Sequence, residues 1–504
     1  MTEFEQIINW VKKNITKKDV FAAIGTVALF LATRLYNILL LPIFTDEGIY
    51  IHWAKIAWHD ASQRFVSLTD GRQPLQTWGT IPFLKLFPND PLLGGRFFSV
   101  ATGLFALCGL FFLLYYLFGK KTAWIGVLLY IFTPYFLFYD RMALIDSGVN
   151  AFFIWILFLS IVLAKSLRLD IALLFGMVAG FGLLAKSSVQ MFFGVSFCAA
   201  FLFIQYGKKP VLRILNYILL FAVSFALSQL IYRIQMLSPY MHYITGKNST
   251  FVMTFGEWIR DPFAVVFSNL KTVPYFVFSE SGWIIVPFAL VALYFLFKKN
   301  IRLFVFFSFW LLVPYLGISF MTRVLFPRYI IFFGTLLVIL TAYLLGQIKN
   351  AKLSAVLLSF IVGTLLIFEY PMWTNYQNII FPPTDRGQYV IGTPVGYGIK
   401  EIVAFARAKS KEKPVIILAE GNFGLTGDLL NTYILPSDTN ISIVGLWPLT
   451  KESLLPYQKD IGKNYVYVVT AHELSYPTDW PMKLLQTFYK ATKTSAIMLF
   501  ELTK

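Results

Sequence analysis

Long apolar runs alternate with short polar segments over most of the chain. From about residue 20 to residue 370, runs of roughly 17 to 25 mostly apolar residues recur, and each could cross the hydrocarbon core as a helix. This pattern predicts an α-helical polytopic membrane protein with about eleven spans. The predicted spans cover residues 20–42, 95–118, 122–139, 145–164, 170–185, 188–206, 211–235, 282–297, 302–320, 329–347 and 353–370.

The pattern changes on either side of this region, which we take as a transmembrane domain of residues 20–370. From residue 371 to 504, short β-rich runs such as "PVIILAE" and "NYVYVVT" alternate with helical periods such as "GIKEIVAFARAK". They predict a small α/β domain outside the membrane. Residues 1–19 carry apolar side chains at helical spacing, which predicts an amphipathic helix on the membrane surface.

Composition and charge agree with a membrane location. The chain is 57% hydrophobic, its mean hydropathy is +0.66 and its formal net charge is +17. The cations collect in every second turn between spans, a distribution typical of cytoplasmic loops. It predicts a multi-pass protein of the plasma or inner membrane, with a cytoplasmic N-terminus and an extracytoplasmic C-terminal domain. It disfavours a nucleic-acid partner, because no basic run is interleaved with exposed aromatic residues.

Asp46 and Glu47 follow the first span directly, in "FTDEGIYIHWAK". Carboxylates at this place stabilise the N-terminus of a following helix. A helix N-terminus also keeps a carboxylate ionised, as a general base must be. The sequence is compatible with both interpretations.

A second group of ionisable residues lies in the short turn "YDRMALIDSGVN" on the same predicted side. It contains Asp140, Arg141 and Asp146, and the tight turn brings Asp146 to the membrane surface at the depth predicted for Asp46. Acids at a lipid interface are costly unless they are paired or functional. Asp146 is therefore a candidate catalytic residue, and Asp140 and Arg141 are candidate supporting residues. A salt bridge from Arg141 to one aspartate is the structural alternative.

Four cations on the predicted outer side depart from the usual charge bias: Arg72, Lys186, Arg323 and Arg328. Arginine and lysine bind phosphate oxygens through charge-assisted hydrogen bonds, which would explain these positions. Snorkelling towards lipid headgroups is the alternative for each of them taken singly. A divalent metal held by Asp46, Glu47 or Asp146 also stays open, whereas no histidine or cysteine cluster indicates zinc.

Several short motifs together resemble the GT-C glycosyltransferases of the protein O-mannosyltransferase and aminoarabinose transferase type. They are the acidic pair after the first span, "DGRQPLQTW", the Arg-x-x-x-x-Asp of "RMALIDS", the lysine of "GLLAKSS" and the late "RY" before the tenth span. The resemblance covers roughly residues 20–370 and rests on the order and sidedness of the motifs.

The resemblance implies an inverting enzyme of the outer membrane face. Such an enzyme moves a hexose or pentose from an undecaprenyl- or dolichyl-phosphate donor to a lipid, glycan or protein acceptor. Asp46 would be the base or orient the acceptor, supported by Asp146 and Glu47. Arg72, Lys186 and Arg328 would contact the donor phosphate.

Two features leave the acceptor open. No His-Pro follows Asp146, where "IDSG" stands, and no large insertion interrupts the outer loops. The C-terminal domain is then a candidate for acceptor recognition or a simple cap over the active-site opening. The rival function is a transporter or lipid flippase, which the clustering of the acids at one membrane face disfavours.

Overall fold

The computed structural model describes residues 16–204, 210–421 and 423–504. Most of the amphipathic helix predicted for residues 1–19 therefore lies outside the described residues. In the described part, Thr16 begins the first helix: its backbone N–H donates to Asp19 Oδ2 at 2.8 Å, and its hydroxyl accepts from the N–H of Asp19. This reciprocal cap satisfies two of the free donors at the helix start.

Helices make up most of the described chain. The first eleven are α1 Lys17–Leu35, α2 Thr45–His59, α3 Leu75–Leu86, α4 Pro91–Phe118, α5 Lys120–Ile131, α6 Pro134–Tyr139, α7 Asp146–Ser166, α8 Leu169–Ala185, α9 Val189–Ser196, α10 Ala199–Phe203 and α11 Pro210–Tyr232. The next seven are α12 Tyr243–Phe251, α13 Phe255–Arg260, α14 Val266–Glu280, α15 Ile285–Lys299, α16 Ile301–Met321, α17 Ile331–Gln347 and α18 Ala351–Thr374.

The membrane part confirms a polytopic helical protein but not the predicted number of spans. Among the described residues, six helices are long and apolar enough to cross a membrane, or seven if α14 and α15, bent by 109°, form one broken span. The predicted span at 282–297 corresponds to α15, one half of this bent pair. Four other predicted spans differ from the observed helices. The span at 20–42 ends its helix at Leu35, those at 122–139 and 188–206 are each two short helices, and that at 170–185 has 17 residues.

A proline explains one of these breaks. Pro134 opens α6 three residues after Ile131, where α5 has ended. Proline lacks a backbone N–H and disfavours helical geometry in the residue before it, so it starts a helix more readily than it continues one. Counting apolar residues alone cannot detect such a break.

The C-terminal part is an α/β unit, as predicted. Its strands are β1 Val415–Glu420, β2 Ile441–Leu446, β3 Tyr465–Thr470, β4 Met482–Tyr489 and β5 Ala496–Leu502. They form one sheet in the order β2-β1-β3-β5-β4, in which β1 is parallel to β2 and β3, and β5 is antiparallel to β3 and β4. Four helices accompany it: α19 Pro383–Arg386, α20 Ile399–Lys409, α21 Leu425–Tyr433 and α22 Lys451–Leu454.

The C-terminal unit docks on α2 through α21. A methyl group at Gly48 would lie 2.9 Å from Leu429 Cδ2, so glycine lets the two helices approach closely. His52 Nδ1 lies 2.5 Å from Asp428 Oδ1. At the other end of α21, Lys55 Nζ donates to the Asn431 carbonyl at 2.6 Å, where a cation satisfies free helix carbonyls. The docking places this unit beside the acidic start of α2.

Candidate functional site

Asp46 lies in the first turn of α2 between two arginines. Arg72 Nη2 donates to Asp46 Oδ1 at 3.0 Å, and Arg328 Nη2 donates to Oδ2 at 2.9 Å. Burial by itself would raise the pKa of Asp46, but the charges of Arg72 and Arg328 hold that pKa well below its usual range. Asp46 is thus an ionised carboxylate, and each of its two oxygens accepts a hydrogen bond from an arginine.

Asp70, which the sequence analysis did not single out, holds Arg72 in place. Asp70 Oδ2 accepts a hydrogen bond from Arg72 Nε at 2.9 Å, and Lys247 Nζ donates to both oxygens of Asp70 at 2.9 Å. Lys247 belongs to α12, a distant part of the chain. The network joins the segment before α3 to α12 and leaves Nη2 of Arg72 aimed at Asp46.

Asp146 forms a second ion pair next to the first. Lys186 Nζ donates to Asp146 Oδ1 at 2.8 Å and lies 3.8 Å from the ring centroid of Tyr329. The same ring is 5.4 Å from Cζ of Arg328, so one aromatic ring contacts the cations of both pairs. Asp46, Asp146, Lys186 and Arg328 therefore belong to one cluster, although they come from four parts of the chain.

The phenol of Tyr50 lies in the electrostatic field of both Asp46 and Asp146. Its pKa is raised to about 12, chiefly by burial, with a lowering effect from Arg72 and raising effects from Asp46 and Asp146. Both carboxylates act on this single side chain. Tyr50 is thus a neutral hydroxyl on which the charges of both carboxylates act.

Arg328 has unused hydrogen-bonding capacity. Its side chain is only 6% exposed, and its Nε and Nη1 atoms are buried without a hydrogen-bond partner in the described residues. A buried, unpaired N–H of a charged group costs roughly 1–3 kcal/mol or more, so such groups usually have a ligand or water as partner. Arg328 can thus bind an anion without releasing Asp46 completely.

Glu47 lies apart from this cluster, although it is the next residue in sequence. It is fully buried, and Arg96 donates to it through Nε at 2.9 Å and Nη2 at 2.8 Å. The backbone N–H groups of Ala143 and Phe44 donate to the remaining acceptor sites at 2.7 and 3.0 Å. This saturated carboxylate joins α2, α4 and the turn before α7.

Asp140 and Arg141 also lie inside the helix bundle and do not pair with each other. Arg34 Nη2 is 3.2 Å from Asp140 Oδ2, and Ser147 donates to Oδ1 at 2.6 Å. Arg141 donates to the backbone carbonyls of Tyr36, Asn37 and Met372 at 2.9, 2.8 and 3.1 Å. These contacts indicate a structural role for Asp140 and Arg141, which connect helix ends within the bundle.

Arg323 likewise has another partner. Its Nη2 is 2.7 Å from Oε1 of Glu257, a half-exposed residue of α13. Arg323 also donates to the carbonyl of Ser249 at 3.4 Å, and neither of these partners is Asp46 or Asp146. Of the four predicted phosphate ligands, Arg72, Lys186 and Arg328 are therefore the ones that converge.

The donor set does not fit a metal shared by Asp46, Glu47 and Asp146. Each of these carboxylates is engaged by a different cation: Asp46 by two arginines, Glu47 by Arg96 and Asp146 by Lys186. Over residues 16–204, 210–421 and 423–504, no three acids, histidines or cysteines are grouped so that they could hold an ion.

A pair of buried carboxyl groups behind Arg328 was not anticipated from the sequence. Asp385, in α19, hydrogen-bonds with Glu280 at the end of α14 and accepts a hydrogen bond from the hydroxyl of Tyr139. Burial raises the pKa of Asp385 to about 7, against lowering effects from Tyr139 and Arg328. No local motif marks either acid, because the pairing depends on how α14 and the chain after α18 fold together.

Asp385→Asn should therefore stabilise the protein increasingly as the pH rises. A raised pKa in the folded state means that the contribution of Asp385 to stability falls as the pH rises from about 4 to about 7, where the unfolded chain has lost the proton and the folded chain keeps it. Asparagine does not titrate. Thermal unfolding in detergent should show the stability of the variant rising relative to that of wild type between about pH 4 and about pH 7. A pH-independent difference would contradict the burial of an acid here.

Comparison with protein families finds a match for part of the chain, and this part contains three of the candidate site residues. Residues 72–232, less than half of the chain, match the family described as dolichyl-phosphate-mannose-protein mannosyltransferase. This segment includes Arg72, Asp146 and Lys186. Comparison with curated protein sequences finds no significant match.

Solved structures share the fold over nearly the whole chain. ArnT from Cupriavidus metallidurans, solved with undecaprenyl phosphate bound, is 13% identical, covers 95% of this chain and 97% of its own, and has a TM-score of 0.64. Its apo form gives a TM-score of 0.60. The oligosaccharyltransferase AglB from Archaeoglobus fulgidus, solved with an inhibitory peptide and dolichol-phosphate, is 11% identical, covers 91% of this chain and 70% of its own, and has a TM-score of 0.53.

Proposed function

We propose that this chain, whose fold is the GT-C fold recognised from its sequence motifs, is a membrane glycosyltransferase. It takes a sugar from a polyprenyl-phosphate donor and transfers it, with inversion, to an acceptor on the outer face of the membrane. The observation that carries the proposal is the cluster in which Asp46 lies between Arg72 and Arg328, beside the Asp146–Lys186 pair. It combines an ionised base with cations suited to a phosphate.

The cations are suited to the leaving group. When the bond between sugar and phosphate breaks, negative charge develops on the phosphate, and fixed positive groups stabilise that charge. Two nitrogen atoms of Arg328, Nε and Nη1, are buried without a partner among the described residues, and the planar guanidinium matches the geometry of phosphate oxygens. Lys186 lies against the same Tyr329 ring and adds a second positive charge.

Asp46 is suited to receiving the acceptor's proton once the donor is bound. Without a donor, two arginines neutralise Asp46 and make it a weak base. A donor phosphate competes for the same arginines, so its arrival loosens their hold and raises the basicity of Asp46. The carboxylate then orients the acceptor hydroxyl or amine and accepts its proton as the sugar carbon is attacked. The basicity of Asp46 would thus depend on whether a donor phosphate occupies the site.

The activity is tested directly by reconstituting the purified protein in nanodiscs with radiolabelled polyprenyl-phosphate sugars and total envelope acceptors. Mass spectrometry then identifies any sugar-bearing product. We expect transfer from at least one polyprenyl-phosphate sugar. Absence of transfer from every polyprenyl-linked hexose and pentose would argue against the proposal.

Arg328→Lys should weaken donor binding. Lysine can still pair with Asp46 but lacks the planar edge of Nε and Nη1 that matches two phosphate oxygens, and a lost hydrogen bond to a charged group costs about 1.5–3 kcal/mol. The donor concentration at half-maximal rate should therefore rise about 10- to 100-fold.

Arg323→Lys is the matched control for Arg328→Lys. It makes the same chemical change at an arginine that pairs with the half-exposed Glu257. We expect a change of less than about threefold in donor saturation, since exposed ion pairs contribute little. Equal effects at the two positions would count against phosphate binding by Arg328.

A further inference from the structure

Two sequence motifs outside the cluster meet at one edge of the C-terminal sheet. "GNFGLTGDLL" follows β1, and the "LWPL" at the end of "ISIVGLWPL" follows β2. Since β1 is parallel to β2 and β3, the carboxyl ends of all three strands lie at the same edge. The chain leaves β1 towards β2 on one side and later returns to form β3 on the other. In open α/β sheets, ligands bind where connections diverge in this way.

A carboxylate and a histidine are fixed together at this edge. Glu420 Oε2 accepts from the backbone N–H groups of Ala471 and His472 at 2.7 and 3.1 Å, and Glu420 Oε1 lies 3.0 Å from His472 Nδ1. Glu420 is buried, whereas a third of the His472 side chain is exposed. Within the described part of the chain, Nε2 of His472 has no hydrogen-bond partner. The carboxylate therefore orients an imidazole whose other nitrogen is available to a ligand.

One exposed aromatic ring, Trp447, contacts this pair, and a second, Phe423, follows Glu420 by three residues. Trp447 is 58% exposed, and its ring centroid is 5.3 Å from that of His472. Phe423 is 45% exposed and stacks on the buried Trp53 of α2 at 5.7 Å, with the ring planes 27° apart. We use the name sheet-edge surface for Glu420, His472, Trp447 and Phe423. Burying such rings against a ligand stabilises binding through both area and ring contacts.

The sheet-edge surface borders the catalytic cluster. Gly424, which has a φ of 67°, leads into α21, and a methyl group added there would lie 3.3 Å from Cγ2 of Thr45. Thr45 immediately precedes Asp46. The loop that carries Phe423 therefore rests on the start of α2, and a ligand on this surface can extend towards Asp46.

We infer that the sheet-edge surface binds the saccharide part of the acceptor. The apolar face of a pyranose ring packs against an aromatic ring, and its hydroxyl groups hydrogen-bond to imidazole and carboxylate. The surface offers both kinds of contact and carries no arginine or lysine among its four residues, so it is poorly suited to an anionic lipid headgroup. The inference rests on the proposed function for the acceptor role, but saccharide binding is measurable without transfer.

The test uses the full-length protein in nanodiscs without donor. The probe is a mixture of neutral oligosaccharides released by mild acid from the envelope of the source cells, observed by saturation-transfer difference NMR. Trp447→Ala and His472→Gln should each weaken binding about tenfold, as expected for a lost ring contact or hydrogen bond. Tyr489→Ala is the matched control, because Tyr489 is a 52% exposed aromatic residue of the same sheet, on β4 at the far side.

Each of the possible outcomes either supports or overturns the inference. Binding by wild type and Tyr489→Ala, with loss in Trp447→Ala and His472→Gln, supports it. No binding by wild type, or equal binding by all variants, overturns it even if wild type transfers sugar. Glycan binding without any transfer would overturn the proposed function but support a saccharide site. A difference between wild type and Trp447→Ala in quenching by brominated lipids would place Trp447 in the headgroup layer and overturn the inference.

Discussion

Asp46→Asn is expected to lower the rate of sugar transfer by roughly 10²- to 10⁴-fold, the usual effect of removing a general base. Asparagine keeps the shape of the side chain and can still accept from Arg72 or Arg328, so the cluster should remain assembled. It cannot accept the acceptor's proton. Initial rates at saturating donor and acceptor, on variant and wild type matched for expression and thermal stability, provide the measurement.

The same variant should not weaken donor binding. Removing the negative charge leaves Arg328 without its carboxylate partner and Arg72 with Asp70 alone, so a donor phosphate meets less competition. We therefore expect a lower maximal rate with an unchanged or lower donor requirement. Glu257→Gln removes an exposed carboxylate paired with Arg323 and should leave both quantities unchanged. Full transfer by Asp46→Asn would refute the assigned role.

Breaking the Glu47–Arg96 pair should have the largest effect on stability. Glu47→Met leaves a buried guanidinium without its carboxylate partner, and removing one member of a buried ion pair costs about 3–5 kcal/mol. Arg96→Met should cost a similar amount for the opposite reason. Unfolding of the protein in detergent, followed by heat or denaturant, measures both losses.

A double-mutant cycle isolates the pair itself. In the Glu47→Met/Arg96→Met protein neither charge is buried alone, so the loss should be clearly smaller than the sum of the two single losses. The same cycle on the exposed Glu257–Arg323 pair should give less than about 1 kcal/mol of coupling. Additive losses at Glu47 and Arg96 would show that the buried pair is not a structural unit.

Adjacent residues in "TDEG" thus have different surroundings, and the sequence could not separate them. Consecutive helix positions point about 100° apart. Asp46 therefore meets the loop arginines, while Glu47 enters the bundle and meets Arg96. The sequence places two acids at a helix start, but it does not show which partner residues each side chain will meet.

The features predicted well are those with strong local signals. Long apolar runs and short β-rich runs predicted a helical membrane part followed by an α/β unit, and sidedness predicted that Asp46, Asp146, Arg72, Lys186 and Arg328 would meet. Single residues inside or beside apolar helices were harder to predict. Arg96 and Glu280 stand in segments that otherwise read as membrane-associated, and their roles depend on partners far along the chain. The predicted number of spans is not confirmed, because several predicted spans are short or proline-broken apolar helices in the described residues.

The central claim is that a lipid-borne phosphate binds Arg328 and competes there with Asp46. The affinity of wild type, Asp46→Asn and Arg328→Lys for a sugar-free polyprenyl phosphate, measured by native mass spectrometry in nanodiscs, tests it most directly. We predict equal or tighter binding by Asp46→Asn and about 10- to 100-fold weaker binding by Arg328→Lys. Weaker binding by Asp46→Asn together with wild-type binding by Arg328→Lys would contradict the claim.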